Sequence, residues 1–505
     1  MNKYLYIIIL SILASAEVDA QTAAKASDSQ KSTPRLVVNI SIDQLRADFL
    51  EEFMPKYGAD GFRKLLASGI VYENAGVPFL PVDRASASAS LTTGAVPFYN
   101  GIPSAEWFSR KNNRLMLCTS DQKSLLQPRG SSPSPINMVA STIGDELKIA
   151  TKNAGKVYGI APECDAAIML AGHAADGAVW LDMENGLWTA STFYNKTHPE
   201  WIAAYNKIFP SAKKLKSSKY SFAGVTRFAD YATSSLVNDD VTDIALQCVQ
   251  SAQLGADNIP DILSLQYYAG TYQHKSEYET VKEIQDAYLQ LDATLTKLVR
   301  TIESRVGKGN VLFVVSSTGY FEEPTLDYTQ YNVPSGTVYI NRTASLLNMY
   351  LSALYGQAHY VDGYKDNNIY IDHKVVEQKR LKLNDVLGRS REMLLLSDGI
   401  SNAYTSFDLS LATDTQRRLL HNGFNVNVSG DLVIETAPGW KLLNEDIGKQ
   451  QKWHQYGFAF PIIVYGADVA HEVVTTPVTI DQIAPTICRS IRIRAPNACK
   501  SAPLH

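Results

Sequence analysis

Candidate chemical residues stand where strand-like runs of the sequence end. Asp43 directly follows the apolar run 36–42. Ser317 and Thr318 follow a second such run at 311–315. The carboxyl ends of parallel strands meet at one edge of an α/β sheet, and such folds bind their ligands at that edge. A buried aspartate in this place can hold a metal ion, and it can equally cap the helix that follows.

Three serines are the nearest candidates for a nucleophile. Ser86, Ser88 and Ser90 alternate with alanines over residues 85–90. A serine nucleophile needs an adjacent general base, and no histidine that could serve as one is evident. The pattern therefore predicts a helix of small residues packed tightly on the sheet.

Acidic side chains form a further candidate feature. Cys164 lies between Glu163 and Asp165. Carboxylate neighbours raise the pKa of a thiol, which argues against a reactive cysteine. If Glu163 and Asp165 share a rim with Glu322 and Glu323, their oxygens could hold a cation such as calcium.

The elements that must position these residues alternate between strands and helices. Buried-strand patterns occur at 36–42, 159–161, 261–265 and 311–315. One long helix is predicted by an apolar stripe at helical spacing, formed by Tyr288, Leu291, Leu295, Leu298 and Ile302. Asn185-Gly186 between two strand-like runs predicts a hairpin. This order predicts an α/β fold with a mostly parallel central sheet flanked by helices.

The chain divides into five predicted segments. Residues 1–20 have the charge, apolar run and small residues of a signal peptide, and 21–34 form a flexible linker. The core is predicted at 35–330 and 441–505, with an inserted cap region at 331–440. A second long apolar run is absent from the sequence, so we expect no transmembrane segment in the mature chain and a periplasmic or secreted location.

Composition excludes several classes of protein. Of the 505 residues, 45% are hydrophobic and 19% charged, which excludes a disordered chain. The net charge of −4 supplies no basic field for a nucleic acid. Five cysteines are too few for a disulfide scaffold, although Cys488 and Cys499 could bridge a C-terminal loop.

Short motifs spread over nearly the whole mature chain resemble the alkaline phosphatase superfamily. The most similar branch is that of the PafA-like periplasmic alkaline phosphatases, and the type I phosphodiesterases/nucleotide pyrophosphatases are wider relatives. The motifs include Ile42-Asp43-Gln44-Leu45-Arg46-Ala47-Asp48, Tyr57-Gly58 with Gly61-Phe62, Thr93-Gly94 with Pro97, Ala171-Gly172-His173, Val306-Gly307-Lys308-Gly309-Asn310 and Ile483-Ala484-Pro485-Thr486. The resemblance implies an alkaline-phosphatase-like sandwich with an inserted cap.

The resemblance also assigns positions to the chemistry of the family, which hydrolyses phosphate or sulfate esters at two zinc ions with a Thr or Ser nucleophile. Metal-ligand residues remain at Asp43 and His274. The other assigned positions are replaced: ligands at Gly270, Ser317, Thr318 and Gln450, the nucleophile at Arg84, and the phosphate clamp at Ala105, Glu163 and Asp165. The two acids stand where a Lys-x-Arg pair is expected, so the charge of the clamp is reversed.

These replacements indicate a pseudoenzyme that has lost the di-zinc site, the nucleophile and the clamp. We expect no cofactor, and we expect the protein to act by binding an unidentified protein or envelope ligand. The alternative is a metal-dependent phosphomonoesterase or phosphodiesterase with a rearranged site and zinc in a degenerate centre. Asp43 and His274 are then vestigial ligands, although each also has a structural interpretation, as a helix cap or a helix-start residue bonded to backbone.

Arg84 suggests how such an emptied site could be held together. A buried Asp43 without a metal is a lone charge, which costs several kcal/mol unless it is paired or protonated. A guanidinium at the nucleophile position can reach a carboxylate at the first ligand position. We therefore predict an Arg84–Asp43 ion pair, and a separation above about 6 Å would exclude it.

Overall fold

A computed structural model of the protein places strand β1 (Leu36–Asp43) in the middle of a ten-stranded sheet. It describes residues 33–121, 125–126, 130–131, 133–195, 199–208, 211–217, 224, 226–270, 277–321, 334–412, 414–447, 449–451 and 459–505. The predicted signal peptide and all but the last residues of the predicted linker lie outside these ranges, so both stay predictions.

The strands and helices of the described chain follow one another in an irregular alternation. The strands are β1, β2 (Ile70–Gly76), β3 (Glu106–Ser109), β4 (Arg114–Leu117), β5 (Leu125–Leu126), β6 (Gly130–Ser131), β7 (Val157–Ile160), β8 (Gly177–Leu181), β9 (Trp188–Ala190), β10 (Asp261–Tyr268), β11 (Val311–Ser317), β12 (Gly336–Tyr339), β13 (Val361–Lys365), β14 (Asn368–Ile371), β15 (Ile400–Thr405), β16 (Leu432–Thr436), β17 (Trp440–Asn444), β18 (Lys449–Gln451), β19 (Phe460–Gly466), β20 (Glu472–Val474) and β21 (Val478–Thr479). The helices are α1 (Ala47–Glu52), α2 (Phe62–Ser68), α3 (Arg84–Thr93), α4 (Pro97–Asn100), α5 (Ile143–Ala150), α6 (Cys164–Ala171), α7 (Glu200–Ile208), α8 (Ser211–Ser217), α9 (Arg227–Ala232), α10 (Val237–Ser251), α11 (Glu277–Val306), α12 (Ile340–Tyr355), α13 (His373–Gln378), α14 (Leu383–Leu395), α15 (Ser406–Ser410), α16 (Thr415–Gly423) and α17 (Ile483–Ser490). Short 3-10 turns lie at Met54–Lys56, Lys308–Asn310 and Ile480–Gln482.

The central sheet is mostly parallel, as predicted. Its order is β20-β2-β19-β11-β1-β10-β7-β8-β9, with β21 also paired to β2. The middle strands β11, β1, β10, β7 and β8 are parallel, whereas β19 and β9 join them antiparallel. The carboxyl ends of β1, β10 and β11 therefore meet at one edge of the sheet.

Burial on both faces explains why β1 is central. Every residue of β1 is buried, because helices cover both sides of the sheet. Leu36, Val38 and Ile40 belong to a core with the apolar stripe of α11, and Val37 points into a second core on the opposite face. The five residues of the predicted stripe are fully buried, which confirms that helix.

Several local expectations can be compared directly with the structure. The hairpin predicted at Asn185-Gly186 joins the antiparallel strands β8 and β9. The interpretation of Asp43 as a helix cap is wrong, because Asp43 ends β1 and the cap residue of α1 is Arg46. The possible bridge between Cys488 and Cys499 is not formed, and both thiols are free.

The region predicted as a cap carries a smaller sheet of its own. Strands β13, β14, β16 and β15 form this four-stranded sheet, and helices α12 and α14 pack on it around a separate apolar core. A three-stranded sheet joins β12 to β17 and β18 across the predicted boundary at residue 440. Within the described part of the chain, no helix has the length and apolar character needed to cross a membrane.

A tight contact between α11 and the loop before α2 gives a stability prediction. Asp292 accepts hydrogen bonds from the backbone N–H of Gly58 (2.8 Å) and Phe62 (2.7 Å). A Cβ on Gly61 would lie 2.0 Å from Asp292 Oδ1. We expect Gly61→Ala to lower the free energy of unfolding by about 1–3 kcal/mol, as overpacking does. Urea unfolding measures this change.

A second glycine provides the matched control. Gly388 lies within α14, and a Cβ added there would meet nothing within 4 Å. Gly388→Ala should raise the free energy of unfolding by about 0.5–1 kcal/mol through helix propensity. Equal effects of the two substitutions would contradict the role given to Gly61.

Candidate functional site

Asp43 lies at the sheet edge where β1 ends. Its side chain is only 4% exposed. The next residue, Gln44, has a positive φ of 66°, so the chain turns away from the sheet immediately after the carboxylate. Across the neighbouring strands, Asp43 is in register with Tyr268, and Ser317 with Ile42. Side chains from β1, β10 and β11 therefore converge on one point.

Arg84 is the first residue of α3, and it points at this carboxylate. Its Nε lies 2.5 Å from Asp43 Oδ2, which confirms the predicted ion pair. The Nε–H is not aligned for a hydrogen bond. Nη1 donates a hydrogen bond to Glu163 (2.6 Å). The guanidinium also stacks on aromatic faces, with Cζ 4.9 Å from the ring centre of Tyr320 and 6.0 Å from that of Tyr268.

The other oxygen of Asp43 is engaged by neighbouring strands. Thr318 Oγ1 donates to Asp43 Oδ1 at 2.5 Å, and Gln266 Nε2 donates to the same oxygen at 3.2 Å. Ser317 is fully buried, and its hydroxyl accepts a hydrogen bond from the N–H of Gly319 (3.0 Å). Both oxygens of Asp43 thus have partners within the protein.

Glu163 and Asp165 lie where α6 begins. Glu163 precedes the helix, and Asp165 accepts a hydrogen bond from the N–H of Ala166 (2.8 Å) in its first turn. Burial, together with the nearby carboxylate of Glu163, raises the pKa of Asp165 to about 7. The pKa of Cys164 is also raised, mainly by burial and then by Asp165, so this thiol is unreactive as expected.

The remaining positions assigned by the resemblance contribute no ligand among the described residues. Gly270 follows β10, and a Cβ there would lie 2.6 Å from Tyr268 Oη and 2.7 Å from Gln44 Cγ. Gln450 belongs to β18, but its side chain is outside the described part of the structure. Three other candidate residues, His274, Glu322 and Glu323, lie outside the part of the chain that the structure describes.

The three candidate serines are structural. Ser86, Ser88 and Ser90 are fully buried in α3, which confirms the predicted small-residue helix. Ser86 Oγ donates to the backbone oxygen of Asp83 at 2.8 Å and accepts from its N–H at 3.1 Å. Ser90 accepts a weak hydrogen bond from Asn100 (3.4 Å).

The charges around Arg84 are strongly unbalanced. One guanidinium faces four carboxyl groups, those of Asp43, Asp83, Glu163 and Asp165. Burial raises the pKa of Asp43 to about 6 although Arg84 opposes the change, and it raises the pKa of Asp83 to about 6. Burial alone would lower the pKa of Arg84, but Glu163 and Asp43 hold it well above its ordinary value. Arg84 therefore stays charged, whereas Asp43, Asp83 and Asp165 take up protons at a higher pH than an aspartate in water does.

These residues do not fit the two zinc ions that the resemblance implies. A zinc site needs three or four protein ligands. Asp43 is the one candidate ligand that the structure describes, and its Oδ2 is already in contact with the Arg84 guanidinium. The cavity beside this pair measures about 10 Å³, space for no more than about one water molecule. In the described ranges, no three His, Cys, Asp or Glu side chains are grouped so that they could hold a metal ion.

Ala105, at the third position that the resemblance assigns to the clamp, lines a different and much larger cavity. That cavity has a volume of about 470 Å³ and lies between the α3 side of the core and the region of β13–β16. Asp83 and Tyr320 contribute to its wall. It is therefore adjacent to the Arg84 site without being part of it.

Sequence reasoning missed four residues of this site. Asp83 had a local signal, because Asp83 and Ser86 form a capping box at the start of α3. Gln266 and Tyr268 carried only the weak signal of lying just beyond the predicted strand 261–265. Tyr320 had none, since its contact with Arg84 depends on how the chain leaves β11.

Comparison with known proteins places this chain in a family. Residues 37–457 match the family described as type I phosphodiesterase / nucleotide pyrophosphatase. The chain is 25% identical over 518 residues to alkaline phosphatase PafA of Elizabethkingia meningoseptica, covering 93% of this chain and 94% of that protein. It is 26% identical over 545 residues to alkaline phosphatase PhoV of Synechococcus elongatus, covering 98% of each.

The fold agrees with the sequence match. The crystal structure of wild-type PafA superposes with a TM-score of 0.79 at 24% identity, over 94% of this chain and 98% of that one. The mostly parallel sheet flanked by helices is thus the alkaline phosphatase fold. Because the family match spans most of the sequence, the chain belongs to the type I phosphodiesterase / nucleotide pyrophosphatase family of the alkaline phosphatase superfamily.

Proposed function

We propose that this protein is an exported, non-catalytic member of its family that acts by binding. The observation that carries the proposal is the Arg84–Asp43 contact of 2.5 Å. It places a permanent cation on the carboxylate that the family resemblance assigns as the first metal ligand. Export is supported by the signal-peptide pattern at residues 1–20.

The surroundings of Arg84 support the loss of phosphoryl chemistry. A phosphoryl group develops negative charge in its transition state, and enzymes stabilise that charge with cations or hydrogen-bond donors. Here the positions assigned to the clamp carry Glu163 and Asp165, and Arg84 is already neutralised by two acids. The net field at this point repels a phosphate dianion.

The second candidate function is a metal-dependent phosphomonoesterase or phosphodiesterase with a rearranged site. Two observations favour it: the family membership, and the four carboxyl groups gathered around Arg84. Such an enzyme would have to move Arg84 away from Asp43 before a metal could bind.

Metal content and turnover decide between the two functions. The protein is purified, equilibrated with zinc or calcium and dialysed, and bound metal is measured by mass spectrometry. Hydrolysis of p-nitrophenyl phosphate and bis-p-nitrophenyl phosphate is measured in parallel with Asp43→Ala. We expect substoichiometric metal and equal background rates for both proteins. Stoichiometric zinc with turnover that Asp43→Ala abolishes would contradict the proposal.

A further inference from the structure

The large cavity next to the Arg84 site has the dimensions of a small-molecule site. Its volume of about 470 Å³ falls within the range of roughly 300–1,000 Å³ that is typical of ligand pockets. We call it the acidic cavity. It is lined by residues of 80–83 and 103–107, by Leu117, Tyr320 and Ile447, by residues of 365–370 around the turn between β13 and β14, and by parts of residues 409–433.

The charged groups of the acidic cavity leave an excess of negative charge. Its lining contains three carboxylates, Asp83, Glu106 and Asp366, against the single ammonium of Lys365. Lys365 Nζ lies 3.1 Å from Asp366 Oδ1 and 3.4 Å from Glu106 Oε2, so it forms ion pairs with both carboxylates. The lining includes no arginine or histidine. Asp83 accepts hydrogen bonds from the N–H groups of Ala85 and Ser86, and the neighbouring cation, Arg84, lies outside the cavity lining.

The acids of the acidic cavity also repel one another. Burial, together with the negative charge of Asp366, raises the pKa of Asp83 to about 6. The pKa of Asp366 is raised in turn, by burial and by Glu106, although Lys365 opposes the change. A further cation in this cavity would relieve both effects.

The walls between these acids are apolar and aromatic. Trp107, Tyr320, Tyr370 and Phe424 line the cavity together with leucine and valine side chains. Aromatic faces attract organic cations, and apolar walls favour a ligand with an apolar body. A bare metal ion fits poorly, because no cluster of three ligand-type side chains occurs in the part of the chain that the structure describes.

We propose that the acidic cavity binds a drug-sized organic cation, with its ammonium group among Asp83, Glu106 and Asp366 and its apolar body against the aromatic walls. This inference rests on the proposed binding function, and it names the class of ligand. It is the reverse of what an active phosphatase site would select, because a phosphate ester is an anion.

Three indole compounds of similar size but different charge test the proposal. Tryptamine is a cation at neutral pH, tryptophol is neutral and indole-3-propionate is an anion. Titration calorimetry on the purified full chain measures their affinities. We expect tryptamine to bind at least about tenfold more tightly than tryptophol, which corresponds to about 1.4 kcal/mol. We expect the anion to bind most weakly.

Substitutions locate the binding site. Asp83→Asn combined with Asp366→Asn should weaken tryptamine about tenfold and leave tryptophol unchanged. Asparagine is also a good helix cap, so α3 should keep its start. The matched control is Asp385→Asn, because Asp385 is exposed on α14 and lies outside the cavity lining.

Two outcomes would overturn the inference. The first is equal affinity for the three compounds. The second is no binding of tryptamine, phenethylamine or benzyltrimethylammonium up to millimolar concentration. Failure of the proposed function would give a different result. Phosphate-ester turnover together with a preference for cations would contradict the non-catalytic assignment and leave this inference standing. Absence of turnover together with absence of a cation preference would contradict this inference and leave the non-catalytic assignment standing.

Discussion

Arg84→Met is expected to lower the free energy of unfolding by about 3–5 kcal/mol at pH 8. Removing one partner of a buried ion pair leaves the charge of the other, here Asp43, uncompensated. Asp43 is 4% exposed, and Arg84 is its only cationic contact in the described structure. Methionine keeps much of the length and volume of the arginine stem, so lost packing should add little. Urea unfolding monitored by circular dichroism measures the change.

A second substitution separates charge from packing. In the double variant Asp43→Asn/Arg84→Met the charge is gone, and the asparagine oxygen can still accept the hydrogen bonds of Thr318 and Gln266. We expect the double variant to recover more than half of the stability that Arg84→Met loses. This recovery is the coupling that a double-mutant cycle detects.

An exposed arginine serves as the control. Arg389 pairs with Glu392 on the surface of α14, where the side chains are 59% and 63% exposed. Arg389→Met should leave the free energy of unfolding unchanged within the error of the measurement, because exposed ion pairs contribute little to stability. If Arg84→Met costs no more than Arg389→Met, the ion pair does not hold the site together.

Stability is expected to rise when the pH is lowered from about 8 to about 5, which is the second large effect. The pKa values of Asp43 and Asp83 are raised to about 6 and that of Asp165 to about 7, in each case mainly by burial. An unfolded aspartate titrates near 3.9. The folded protein therefore binds more protons than the unfolded chain between about pH 4 and 7, and its stability falls as the pH rises through this window.

The size of the expected change in stability follows from the shifts in pKa. For Asp43 alone, a change of about two pKa units corresponds to roughly 3 kcal/mol. Below about pH 4 the trend should reverse, because the pKa values of Asp145 and Asp431 are lowered by their hydrogen-bonded histidines and other partners despite burial. Chemical unfolding at several pH values measures the curve.

Two variants test the origin of this pH dependence. Asp43→Asn should flatten the curve between about pH 5 and 7, since one of the titrating groups is removed. Asp385→Asn on the exposed face of α14 should leave its shape unchanged. A free energy of unfolding that stays constant or rises between pH 5 and 8 would contradict the shifted pKa values.

Much of the fold could be predicted from the sequence, because its signals are local. Five of the seven residues in the run 36–42 are Leu, Val or Ile, and a run of this kind is typical of a strand buried on both faces. The stripe on α11 and the Asn185-Gly186 turn are likewise complete within a few residues.

The sequence by itself predicted, through the family resemblance, that ligand-type residues are missing at several assigned positions, and it made Arg84 and Asp43 candidates for an ion pair. Only the tertiary structure decided what fills the site. Thr318, which lies 275 residues from Asp43, reaches it because β1 and β11 are parallel neighbours. The acidic cavity arises in the same way, since Asp83 precedes α3 whereas Lys365 and Asp366 lie on the turn of a separate small sheet. Contacts of this kind follow from strand register and packing, which no local pattern of residues contains.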